Sequence, residues 1–512
     1  MAQKVYTASV VGLEGALVTV EADTANGLPS FTIVGLPDMA VKEARERIRI
    51  AIKNSGYVFP RMKVTVNLAP ASVRKEGAGY DLPIAIAILL ASDEFRGRVR
   101  EQGGLSDALV VGELALSGDV RDVDGALAIA SSGRTLQKRT IYCPLGNVRE
   151  VRLLQELTVI PVPTLRAFME HVVGDAPLVA DTELFSFGDP GAAPLVDCAN
   201  IVGNEQAKRA LMIAAAGNHN ILMSGPPGSG KTMLARALPG IMPPLSHDEM
   251  IDVTRVWSVA GLLSNNQPWL QERPFRDPHH SASLVALVGG GANPRPGEVS
   301  LAHHGVLFLD EFPEFPRSVL ESLRQPLELG QVTIARAQDH VTFPSRFLLV
   351  AAQNPCPCGY LGDTVHACTC APGLLTRYHN KVSGPLLDRI DLHMTVPRLP
   401  VEKLEGDGGD ASSVLRAIVH AARERQRQRF AGASWKTNAA MPSDYVRRSL
   451  AITAQGKMVL RNAVEKFHLS GRVYFRVLKV AQTIADIAKS DTIDVPHVAE
   501  ALQYRFRERV TL

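Results

Sequence analysis

No apolar run in this sequence is long enough to cross a membrane. The longest charge-free apolar stretch, Leu82 to Ser92, falls far short of the roughly 18 to 20 residues that a spanning helix needs. The opening segment MAQKVYTASVVGLEGALV reaches Glu14 before the core of a secretion signal is complete and has no rich basic leader, so a cytosolic protein is expected. Compositional bias is also missing: 41 glycines and 33 prolines among 512 residues exclude collagen-like and low-complexity chains. Cysteine is scarce, with six in all, which leaves no disulfide framework to hold so long a chain. What is present is ample core material, 46% hydrophobic against 21% charged, in a chain too long for one core. Two or three domains are expected.

The net charge of +3 conceals an asymmetry. Residues 413–512 hold 18 Lys and Arg against 8 Asp and Glu, so this region is strongly basic and the remainder is acidic. A polyanion near the C-terminal end is one reading, and a solvated helical face is the other. Residues 1–175 mix strand-like and helix-like runs: Val64, Val66 and Leu68 alternate, whereas Val41, Ala44, Ile48 and Ile52 recur at helical spacing. Residues 176–197 are rich in Gly, Pro and Asp and suit a linker. Over 198–403 the apolar strands NILMSG, GVLFLDE and RFLLVAAQNP alternate with helical patterns, which predicts a parallel sheet wrapped by helices. A second break follows, and 413–512 read as a helical domain with helices near 413–430, 443–467, 471–489 and 495–506. The fold class is therefore multidomain α/β.

Gly225-Pro226-Pro227-Gly228-Ser229-Gly230-Lys231-Thr232 matches the phosphate-binding loop pattern and stands between a strand and a helix. Its glycines let backbone N–H groups turn onto phosphate oxygens, Lys231 reaches the β- and γ-phosphates, and Thr232 offers a hydroxyl to Mg²⁺. VLFLDE places four apolar residues before Asp310 and Glu311, as in a buried strand whose C-terminal end faces a ligand crevice. Asp310 is the candidate for the Mg²⁺ shell and Glu311 for polarising water. A third strand ends at Asn354, whose amide could hold the lytic water. ATP hydrolysis is the reaction these residues point to.

Val202-Gly203 with Lys208, GPPGSGKT, VLFLDE, NPCPCG and LLDRIDLH together resemble the AAA+ ATPases of the magnesium-chelatase-related group, and most closely the ComM/YifB family, across essentially the whole chain. The resemblance implies an AAA+ core with a helical lid and a homo-hexameric ring. It also implies that Arg389 acts as the arginine finger on a neighbour's γ-phosphate and that Arg472 is the lid's sensor arginine. Arg476 competes with Arg472, and Arg377 is the weaker rival of Arg389. The segments Arg276 to Glu298 and Val332 to Thr342 resemble inserts that face a central channel in related motors. They offer Arg295, Arg336 and His340 as DNA contacts, with a plain connector role as the alternative.

Cys356, Cys358, Cys368 and Cys370 supply four thiolates within residues 355–371, enough for a tetrahedral Zn²⁺ site; free thiols are the alternative. Residues 78–145 resemble the Lon proteolytic domain, an α+β fold, yet Gly79 and Leu127 stand where its serine and lysine belong, so peptidase chemistry is not expected. The family resemblance implies a ring-shaped DNA motor that migrates branched recombination intermediates, as in natural transformation, together with recombination partner proteins. Arg423, Arg425, Arg427 and Arg429 are the candidate phosphate contacts in the basic region. Two alternatives stay open: a chelatase-like ATPase driving a metal-insertion enzyme, and a protein remodeller. No Asp-x-Ser-x-Ser metal-adhesion motif accompanies the first.

Overall fold

The computed structural model describes residues 3–96, 98, 105–182, 195–264, 266–291, 293–335, 340–363, 365–400 and 408–505. The chain divides into two compact units. The first comprises Met1–Gly188, His247–Leu270 and Ala335–Phe343; the second comprises Asp189–Ser246, Gln271–Ile334 and Pro344–Leu512.

The first unit is built on a four-stranded sheet in the order Gln3–Val11, Glu14–Ala25, Lys63–Ala69, Ser30–Val34, antiparallel except for the last pair. Val64, Val66 and Leu68 are all buried, so the alternation seen in the sequence is the pleat of a half-buried strand. The helix Met39–Asn54 starts where Asp38 accepts a hydrogen bond from the Val41 N–H at 2.8 Å, and it buries Val41, Ala44, Ile48 and Ile52. The longest apolar run forms the helix Asp81–Ala91, of which every residue is buried. Its hydrophobicity serves an interior position, and no helix among the described residues is long and apolar enough to cross a membrane. A parallel sheet of Ala108–Val110, Thr140–Pro144 and Thr158–Val162 completes the unit.

One departure concerns the span read as a continuous ATPase core. The helix His247–Ala260 belongs to the first unit, where the Gly125 N–H donates to the Ser258 carbonyl at 3.0 Å. Helical periodicity shows that Met250, Val253 and Val256 share a buried face; it does not show what covers that face.

The second unit is α/β with a five-stranded, all-parallel sheet in the order Phe275–Arg276, Val306–Leu309, Leu348–Gln353, Ile221–Ser224, Leu392–Thr395. Alternate residues of its strands enter two different cores. Val306, Phe308, Val350 and Met223 pack with the helices Glu205–Gly217 and Lys231–Ile241 and with the C-terminal helices. Leu307, Leu309, Leu349 and Leu222 pack with Val319, Leu320 and Ile390. Burial on both faces explains the uninterrupted apolar strands.

The C-terminal domain is helical: Ser412–Arg429, Ser443–Ser449, Ala454–Phe467, Gly471–Ile487 and Val495–Gln503. The run read as one helix over 443–467 is two, because Leu450 is extended and Thr453 caps a new helix through the Gly456 N–H at 3.1 Å. A buried polar cluster ties this domain to the sheet. His219 bridges Asp391 at 3.0 Å and Thr483 at 2.8 Å, and Arg476 pairs with the same Asp391. Burial alone would push the Asp391 carboxyl up, but Arg476 and His219 override it and hold Asp391 well below the usual range.

Candidate active site

The loop Gly225–Thr232 leaves the central strand Ile221–Ser224 and enters the helix Lys231–Ile241. Gly225 permits no side chain, since a Cβ there would lie 2.1 Å from the Val396 carbonyl oxygen. Gly228 and Gly230 have φ of +75° and +89°, the left-handed region where glycine is at no cost. The loop closes on itself through Ser229 N–H to Pro226 carbonyl, and Pro227 faces outward against Gly359. Lys231 is buried and its Nζ donates to the carbonyls of Gly225 and Pro226 at 2.8 and 2.9 Å, with Asn354 Oδ1 at 3.4 Å. Burial lowers its pKa and Asp310 opposes that.

Adjacent parallel strands deliver the remaining groups at the same sheet end. Thr232 Oγ1 donates to Asp310 Oδ2 at 3.1 Å, so the hydroxyl and carboxylate suited to Mg²⁺ already face each other. Asp310 Oδ1 accepts the Glu311 N–H at 2.8 Å. Glu311 itself is left-handed, with φ +50°, a conformation that costs a non-glycine residue about 1–2 kcal/mol. Strain of this kind is stored where a side chain must be aimed. Its carboxylate meets His280 Nδ1 at 2.9 Å. Sequence reasoning missed His280. The neighbouring pair His279-His280 carries no spacing that links it to Glu311, so only the fold reveals the contact. Asn354 follows the strand Leu348–Gln353, and its carbonyl accepts the Tyr378 hydroxyl at 3.2 Å.

The cysteines converge. Sγ–Sγ separations are 3.3 Å for Cys356–Cys358, 3.7 Å for Cys356–Cys368 and 3.6 Å for Cys358–Cys368, and Cys370 completes a group whose sulfurs all lie within 4.8 Å of one another. Four thiolates about 2.3 Å from a central Zn²⁺ would be about 3.8 Å apart, so the donor set fits that ion. The N–H groups of Tyr360 and Thr369 hold the Cys358 thiol down at about 6. Gly359 sits in the same turn and touches the phosphate-binding loop: a Cβ there would stand 2.7 Å from Pro227 Cδ.

Comparison with known proteins agrees with this architecture. Residues 197–404 match the family described as magnesium chelatase, subunit ChlI; residues 409–505 match the C-terminal part of that subunit, and residues 20–147 a further ChlI description. Competence protein ComM of Haemophilus influenzae is 44% identical over 99% of this chain and 98% of its own length. YifB of Escherichia coli is 43% identical over the same shares. The chain belongs to the ComM/YifB family. The magnesium-chelatase 38 kDa subunit of Rhodobacter capsulatus is similar over a smaller span, 27% identical over 32% of this chain and 51% of its own length.

The residues that the ComM/YifB resemblance singles out fall in contrasting settings. Arg389 pairs with Glu328, donates to the Pro385 carbonyl at 2.8 Å and has a side chain only 13% exposed; its hydrogen bond holds Glu328 below the usual carboxylate range. Arg472 is exposed at the start of the helix Gly471–Ile487, within the field of Glu328, whereas Arg476 is committed to Asp391. Arg295 is exposed and pairs across a short hairpin with Gly290, in a segment whose ends are clamped by Arg276 bidentate to Glu298 at 2.6 and 2.8 Å. His340 is exposed at the start of the strand His340–Pro344, and Arg336 lies outside the described residues. Three of the four C-terminal arginines work inside the fold. Arg423 donates to the Ala215 carbonyl at 2.8 Å, Arg425 pairs with Asp491 and donates to the Ser490 carbonyl at 3.1 Å, and Arg429 pairs with the buried Asp486. Only Arg427 points outward, 76% exposed and paired with Glu424 at 2.7 Å.

Proposed function

We propose that this chain is an AAA+ ATP hydrolase that assembles into a hexameric ring and drives DNA, acting on branched recombination intermediates as in natural transformation. The observation that carries the hydrolytic part is the Thr232–Asp310 contact beside Lys231 and Glu311. Mg²⁺ bound by Thr232 and Asp310 would supply charge neutralisation to the β- and γ-phosphates. Lys231 moves its ammonium from loop carbonyls to phosphate oxygens. Asn354 holds the attacking water, Glu311 takes its proton as the oxygen bonds to the γ-phosphorus, and the bond to the β-phosphate oxygen breaks, leaving ADP and phosphate. Arg389 from a neighbouring subunit and Arg472 from the lid steady the charge that develops.

The DNA part is supported by the full-length likeness to a competence protein and by the basic C-terminal region. Arg295, His340 and Arg427 are the exposed candidates for contact. We read the first unit as a Lon-like scaffold: Leu127 is fully buried, and Gly79 brings no nucleophile. The four cysteines would hold a structural Zn²⁺, which would cross-link the loop that packs against Pro227. The test is the ATPase rate with no addition, with single strands, with duplex and with a four-way junction. Strongest stimulation by the junction is expected. Indifference to every DNA, with stimulation by a metal-insertion enzyme, would select the chelatase-like reading that the ChlI matches also allow.

A further inference from the structure

The cysteine loop runs directly into the helix Pro372–His379, and beside it lies a surface outside the phosphate-binding loop and the acidic strand end. This helix, the turn Phe312–Glu314 and the start of the helix Arg317–Ser322 enclose an open groove of about 640 Å³. Its polar lining is Glu314, Arg317, Thr376, Arg377, Asn380 and Lys381. Lys381 Nζ meets Glu314 at 2.7 Å, which cancels the one acid. Arg317 and Arg377 are exposed and have no ion-pair or hydrogen-bond partner among the described residues. Two free guanidinium forks in one groove form a local cationic excess that the fold does not use.

We propose that this groove binds the phosphodiester backbone of a DNA strand, with Arg317 and Arg377 each taking a phosphate and Thr376 and Asn380 at the groove wall. Planar guanidinium groups match phosphate oxygens bidentately. An open groove suits a strand that enters and leaves it better than a small molecule that must be enclosed. The groove also touches the hydrolytic residues. The Glu314 N–H donates to the Glu311 carbonyl at 2.7 Å, and Tyr378, whose ring lies 5.6 Å from Lys381 Nζ, holds the Asn354 carbonyl. A phosphate that draws Lys381 away from Glu314 therefore acts on the turn that starts at Glu311 and on the residue behind Asn354.

The proposal rests on the DNA-acting reading above, and the experiment separates the two. Binding of labelled single-stranded and duplex oligonucleotides to the full chain is followed across salt concentrations for the native protein, Arg317→Gln, Arg377→Gln, the double variant and Arg377→Lys. Affinity for a fluorescent ATP analogue is measured in parallel. Each lost phosphate contact flattens the dependence of log affinity on log salt by about 0.7 for single strands and 0.9 for duplex, so the double variant loses roughly 1.4 or 1.8. Arg377→Lys keeps its slope because the charge survives, and ATP-analogue affinity is unchanged in Arg317→Gln. Native protein that binds DNA, with an unaltered slope in the double variant, overturns the groove assignment. A collapse of ATP turnover in Arg377→Gln with DNA binding intact also overturns it, since Arg377 would then serve a nucleotide phosphate of a neighbouring subunit. Native protein that binds no DNA at any salt refutes the parent reading, and the groove assignment falls with it.

Discussion

Glu311→Gln separates proton transfer from nucleotide binding. The substitution keeps side-chain length and leaves the local scaffold in place: the residue's N–H still donates to Asp310 Oδ1, its carbonyl still accepts the Glu314 N–H, and an amide oxygen can still meet His280. Thr232, Asp310 and Lys231 are untouched, so ATP affinity should hold within about threefold. The carboxylate's capacity to take a proton is what disappears. General-base catalysis contributes roughly 10²- to 10⁴-fold, which at 1.36 kcal/mol per decade corresponds to about 2.7–5.4 kcal/mol of barrier. Turnover should therefore fall at least about 100-fold in a single-turnover phosphate-release assay while equilibrium binding of ATP persists. Asp310→Asn provides the contrast, because it weakens the Mg²⁺ shell and should lower both affinity and rate. Turnover within about fivefold of native for Glu311→Gln, with ATP bound, would refute the assignment of the base.

Mixtures of Arg389→Ala and Lys231→Ala subunits, each inactive alone, should recover part of the activity as a sound finger meets a sound loop at some interfaces; silent mixtures that still assemble into rings would remove Arg389 as a finger acting across subunits. Purified protein should carry about one Zn²⁺ per chain by elemental analysis, and Cys358→Ser should release it, since three thiolates are left without a fourth; metal-free protein after zinc-replete expression would leave free thiols. Arg429→Gln should cost about 1.5–3 kcal/mol in urea unfolding, because it removes the bidentate partner of the fully buried Asp486 carboxylate and leaves it Arg425 at 3.8 Å and the amides of Asn438 and Gln482, whereas Arg427→Gln should cost no more than about 0.5 kcal/mol. Equal losses for the two would contradict the burial difference.

The parts that were legible in the sequence are those whose chemistry is contiguous. The phosphate-binding loop, the acidic strand end and the Cys-x-Cys pairs each compress their function into a few neighbouring residues, and the parallel sheet follows from strands with no polar face. Partners distant along the chain were not legible. Arg429 reads as surface charge until Asp486 is seen beside it, and counting charges reports composition, never pairing. His280 meets Glu311 only because two parallel strands end side by side. The helix His247–Ala260 announces an apolar face but not the unit that receives it.

That last feature bears on how such a protein can be divided and inherited. Neither unit is one continuous stretch: the path changes unit after Gly188, Ser246, Leu270, Ile334 and Phe343. A fragment that starts in the 176–197 segment would keep every nucleotide-binding motif yet carry the helix His247–Ala260 without the Gly125 N–H that its Ser258 carbonyl accepts. Cutting or shuffling genes at the composition boundary therefore divides the first unit between two pieces. Such wiring favours transmission of the chain as a single piece, in keeping with relatives that align with it from end to end.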